Sequence, residues 1–149
     1  MDINLDGVRQ EAFRILKAAY PEVSVNERGS IIIATPETPV VCRVREAEAG
    51  VFVIGVASPI LLDFYPEPSL YELISKSQVS LPFGSIVVGA GAEPNQIMLE
   101  LRGQVFADSL NGTHLVRAVS LVHAQALKQI HLLESLTPAI GGTRAYGAA

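Results

Sequence analysis

The stretch SIVVGAGAEPNQIMLELRGQVF, residues 85–106, decides the fold. An apolar run meets Gly-x-Gly, and that junction has two readings. A strand followed by Gly-x-Gly-x-x-Gly and a helix holds a pyrophosphate on the amides of the helix N-terminus. A strand followed by a polar turn and a second strand is a β-hairpin. Gly89 and Gly91 fill the first two glycine positions, but Pro94 stands at the third, and Glu93 places a negative charge where phosphate would sit. The P-loop template fails as well: Gly84 and Gly89 have its spacing, yet Ala90 and Gly91 occupy the Lys and Ser/Thr positions. Beyond the turn the chain has the period of a strand. Ile97, Leu99, Leu101 and Val105 alternate with Glu100, Arg102 and Gln104. The stretch is therefore read as a hairpin with residues 86–88 antiparallel to a segment near 99–101. Gly89 and Gly91 are expected to supply backbone freedom where the first strand ends.

Working outward, residues 4–20 carry Leu5, Val8, Ala12, Ile15, Leu16 and Ala19 at helical steps. Asn4 is the expected N-cap, and Pro21 ends the helix. Residues 30–35, 40–46 and 51–58 read as three strands joined by short turns. Val40, Cys42 and Val44 face one way and Val41, Arg43 and Arg45 the other. The third strand is apolar on both faces and is placed centrally. Pro59 is expected to interrupt it, with residues 60–64 continuing as an extended segment. Ser69 and Glu72 have capping-box spacing at the head of a short helix, residues 69–77. Residues 113–134 form a long helix whose apolar surface, widened by Ala118, Leu121 and Leu127, exceeds what one sheet face covers. The predicted order is α-β-β-β-α-β-β-α in one domain, residues 1–136, followed by a flexible Gly/Ala-rich tail, residues 137–149.

Composition narrows the function. The chain has 149 residues, 49 % of them hydrophobic and 17 % charged, and a net charge of −4. That length and balance suit one folded domain. An acidic chain with no Lys/Arg run gains no counterion-release affinity for nucleic acid or anionic lipid. No apolar run reaches the ~20 residues that span a bilayer. The single cysteine allows no intramolecular disulfide, and the N-terminal decapeptide has no secretory pattern, so a reducing cytoplasm is expected.

The residue types that carry chemistry form no convincing site. His123 and His131 lie two helical turns apart and His114 falls on the opposite face from His123, so the three read as surface or interface histidines rather than metal ligands. Cys42, between Val40 and Val44, reads as a core thiol. Asp63, Glu67 and Glu72 cluster near the second helix with no spacing that demands acid–base work. Arg43, Arg45 and Arg102 point away from the core, either as a solvated face paired with Glu100 or Glu46 or as a surface for acidic groups. No catalytic motif occurs, and no cofactor is expected.

Three passages resemble a known family: VASPILLDF running into PSLYELISKS (residues 56–77), SLPFGSIVV (80–88) and IMLELRGQVFADSLNGTHLVRAV (97–119). They are similar to the type III secretion chaperone-like fold, most closely its YbjN-like branch, over roughly residues 4–134. The resemblance implies a bent antiparallel five-stranded sheet packed with three helices, an α+β homodimer, and a non-enzymatic role holding a client protein or peptide in extended form on an apolar surface. It assigns no peptide-binding residue. Two alternatives stay open: a regulatory, sensory module binding a small ligand or signalling partner, and an enzyme with a spatially assembled site.

Overall fold

A computed structural model describes residues 4–107, 111–134 and 143–144. The element order is α1 (Leu5–Ala19), β1 (Val23–Val25), β2 (Ile31–Ile33), β3 (Val40–Glu48), β4 (Val51–Phe64), α2 (Pro68–Val79), β5 (Ser85–Ala90), β6 (Ile97–Phe106), α3 (Gly112–Glu134) and β7 (Thr143–Arg144). The antiparallel sheet runs β1-β2-β3-β4-β6-β5, and β7 pairs with β4 off this path. The expected five strands thus become six in a continuous path, because Val23–Val25 pairs with Ile31–Ile33. Between them, the Asn26 side chain accepts the amides of Arg28 and Ser30, at 3.0 and 2.9 Å, and Gly29 turns the chain at φ 79°. The rest of the expected tail, apart from Thr143 and Arg144, lies outside the described residues.

The 85–106 stretch is a hairpin, with Ile86 opposite Leu101 and Val88 opposite Leu99. The glycines act differently from the expectation. Neither Gly89 nor Gly91 has positive φ; Asn95, at φ 70°, supplies the left-handed residue of the turn. Gly91 is there for closeness. A Cβ on it would meet the Gln96 Cβ at 2.7 Å, because the Gly91 amide bonds the Gln96 carbonyl at 2.8 Å.

α1 begins as expected, with Asn4 Oδ1 accepting the Gly7 amide at 2.7 Å. α2 does not. Its N-cap is Glu67, which makes no side-chain cap bond, and the capping box of Ser69 and Glu72 is absent. Pro68 preempts it: its fixed φ suits the first helical position, and its missing amide is one the helix leaves unpaired anyway. Glu72 instead pairs with Lys76 at 3.0 Å.

Pro59 does not break β4, which spans fourteen residues. Its carbonyl faces the β3 side and accepts Thr38 Oγ1 at 2.7 Å. The β3 ladder has already ended at Ala57, so the missing amide costs no sheet bond. Two register shifts come next, between Pro59 and Leu61 and between Leu61 and Phe64. The second contains Asp63 at φ 49°, a conformation that a short polar side chain tolerates.

α1 and α3 cover one sheet face. Val8, Ala12, Ile15 and Leu16 of α1 and Leu115, Val119, Val122, Ala126 and Ile130 of α3 join Cys42, Val44, Ile54, Val56, Leu99 and Leu101 in one cluster, to which α2 adds Leu70 and Ile74. The Tyr20 hydroxyl ties α1 to α3 through Ser120 Oγ at 3.0 Å. Truncating a fully buried member such as Leu99 to alanine is expected to cost ~2–5 kcal/mol.

Candidate functional site

The other sheet face carries a trough. Strand order makes it: β4 lies between β3 and β6, and Arg43, Gly55 and Gln104 fall in one cross-strand row, with Val41, Ala57 and Arg102 in the next. Small residues on β4 leave a low floor. Val41, Arg43 and Arg45 rise from β3 on one side, and Met98, Glu100 and Arg102 from β6 on the other. The walls stand two strand spacings apart, roughly 10 Å. Pro59 and Leu62 make one end apolar, and the cleft encloses about 410 Å³. At the basic end Arg45 Nη2 donates to Gln104 Oε1 at 3.3 Å, diagonally over β4 between Val53 and Gly55.

The arginines are unevenly neutralised. Arg102 is paired with Glu100 on its own strand. Arg43 Nε donates to Ser30 Oγ at 3.1 Å, a neutral partner. Among the described residues no carboxylate lies within 4.0 Å of Arg43, Arg45 or Arg28. The expected pairing with Glu46 does not form, because Glu46 Oε1 accepts the Gly50 amide at 2.9 Å. A second cleft of about 240 Å³ adjoins β3 beyond the end of β2 and shares Arg43 and Arg45 with the trough. It adds Arg9 and Arg28, whose part in this surface the sequence did not signal. Arg9 pairs with Asp6 at 3.5 Å, while its Nε is buried without a partner.

The remaining sequence candidates lie elsewhere. Cys42 is fully buried on the helix face, and burial pushes its thiol up to about 12. His123 Nε2 donates to the Pro36 carbonyl at 2.9 Å, and His131 sits between Glu37 and Glu134 at 3.5 and 3.4 Å. His114 lines a separate cleft beside Phe83 and Phe106. Among the described residues no group of three or more His, Cys, Asp or Glu is placed to hold a metal ion. Asp63, Glu67 and Glu72 do not converge: Asp63 Oδ1 accepts the Ala92 amide at 2.7 Å, and Glu67 is the uncommitted cap. Tyr65 donates to Glu93 Oε2 at 3.1 Å, and that bond raises the phenol above its ordinary range.

A further surface runs along α2 and the edge strand β5. Gln78 lies against the edge, donating Nε2 to the Ile86 carbonyl at 2.7 Å and accepting the Ile86 amide at 2.9 Å. Next to it Tyr71, Val79 and Val88 are exposed, Val79 by 89 %. Among the described residues no helix is long and apolar enough to cross a membrane.

No family model matches the sequence, and no curated protein matches it. Among solved structures, the fold is similar to a chain in the crystal structure of the ExsC-ExsE complex, with TM-score 0.61 and 16 % identity over 89 % of this chain and 97 % of that chain. At this identity the likeness is one of fold, and it supports the α+β architecture of helices packed on an antiparallel sheet expected from the three sequence passages.

Proposed function

We propose that the chain is a non-enzymatic, chaperone-like module of the YbjN-like type that holds an extended segment of a client protein in the trough over β4. The trough carries this reading. It is one strand wide, floored by Gly55 and Ala57, lined by both apolar and hydrogen-bonding side chains, and crossed at its basic end by the Arg45–Gln104 bond. A groove of that form suits an extended backbone with side chains alternating to either wall. The shared fold with a chain crystallised in a complex is consistent with it. Residues 1–136 would be the binding domain, working in the cytoplasm as a homodimer. The exposed Tyr71, Val79 and Val88 along α2 and β5 support self-association there. A photo-crosslinking amino acid at position 98, on the trough wall, used in living cells, tests the trough. Adducts to a protein segment are expected, and their absence alongside adducts from other surface positions would overturn the assignment. Light scattering should give a dimer mass that Val79→Glu reduces.

A second reading has one observation in its favour. A 410 Å³ cleft with several arginines lies within the ~300–1,000 Å³ range of small-ligand sites. A regulatory module of this kind would show a rise in melting temperature with a small organic anion.

A further inference from the structure

Charge on the trough face runs against the charge of the molecule. The chain carries −4 overall, yet five arginines and one carboxylate, Glu100, line the trough and the cleft beside it. Arginines on a solvated sheet face are normally interleaved with acids, since like charges held side by side repel. Here Arg43 and Arg45 have only the neutral partners Ser30 and Gln104. Their Cα atoms are spaced for a strand, roughly 7 Å apart like the alternate residues of an extended ligand. Arg43 turns to Ser30 on the β2 side and Arg45 reaches over β4 to Gln104, so each fork leaves a neutral partner to meet a carboxylate. A guanidinium fork matches a carboxylate in two parallel bonds, which a neutral amide or hydroxyl does not offer. The apolar end at Pro59, Leu62 and Met98 lies further along the same trough, so one extended ligand meets both ends in sequence.

We propose that the segment held in the trough is acidic: an extended stretch with carboxylates at alternate positions against Arg43 and Arg45, followed by an apolar residue over Leu62 and Met98. This rests on the trough being a polypeptide site. Arg28 and Arg9 continue the basic strip around β3 and attract the segment before it seats.

The test uses fluorescence anisotropy with the full chain and two labelled peptides of one design: an extended stretch with Glu at two alternate positions followed by a Leu-Val pair, and its counterpart with Gln for each Glu. The Glu peptide is expected to bind at least tenfold tighter, with the difference shrinking as salt rises from about 50 to 500 mM. Arg43→Gln with Arg45→Gln should bring the two peptides to equal affinity. Gly55→Val, which fills the floor, should remove binding of both peptides. Equal affinity of the two peptides, both lost in Gly55→Val, overturns the acidic preference while the polypeptide site stands. Binding of neither peptide, or binding indifferent to Gly55→Val, overturns both. Tighter arginine-dependent binding of a single-stranded oligonucleotide or of inorganic polyphosphate overturns the peptide assignment in favour of that anion.

Discussion

Gly55→Val separates the trough from the fold. Gly55 is in the middle of the central strand, where a glycine costs ~0.5–1 kcal/mol relative to alanine and where a β-branched residue is favoured further. Its φ is not positive, and a Cβ there would find only the Arg43 carbonyl at 3.8 Å, an ordinary contact. Nothing in the fold therefore requires glycine at this position. The variant should be as stable as the parent or more stable by ~0.5–1 kcal/mol, a rise in Tm of about 1–4 °C for a domain of this size. The isopropyl group would stand between Arg43 and Gln104, in the space an extended backbone needs. Urea unfolding reads the first effect and peptide anisotropy the second. A stability loss beyond ~1 kcal/mol would show that the space above Gly55 is filled in the native protein. Unchanged peptide affinity in a stable variant would show that the ligand lies elsewhere.

Other expectations rest on the same contacts. Gln78→Ala leaves the Ile86 amide and carbonyl without partners on a sheet edge, so stability should fall by ~1–2 kcal/mol and light scattering should report association through the uncovered edge. Gly91→Ala, in contrast to substitution at Gly55, drives a Cβ to 2.7 Å from Gln96 and should cost ~1–3 kcal/mol by thermal melting. Native Cys42 should resist a thiol-reactive dye until the chain unfolds. Its raised pKa also sets a sign: the thiol is neutral in both states below the ordinary value of 9.0, and between there and about 12 only the unfolded chain ionises. Stability should then fall as pH rises through that window by up to ~1.4 kcal/mol per unit, and Cys42→Val should lose that part of the slope.

Long periodic elements were legible in the sequence because burial on one face imposes the pattern directly. The hairpin at residues 85–106 and the stripes of α1 and α3 are of this kind. The misreadings share another cause, local rules overtaken by neighbours in space. Pro59 sits inside a strand because the ladder on its amide side has already ended, a fact about β3 rather than about proline. Val23–Val25 was missed because only Val23 is buried, which is too little for a period to show. The trough was half legible: the alternations at Arg43 and Arg45 and at Glu100 and Arg102 could be read, but not that Gly55 and Ala57 lie between them. That depends on β4 pairing with β6 rather than β5, which no local pattern encodes.

The turn of the 85–106 hairpin is braced against the end of β4. Asp63 holds the Ala92 amide and Tyr65 holds Glu93. The β4–β6 ladder brackets Leu62 and Met98, with Leu61 opposite Leu99 and Phe64 opposite Ile97, so the gap at the apolar end of the groove is set by the sheet itself. The two ties act on the loop instead: they anchor a turn that the sheet does not hold. Cutting them should free the loop while leaving the groove and the core as they are.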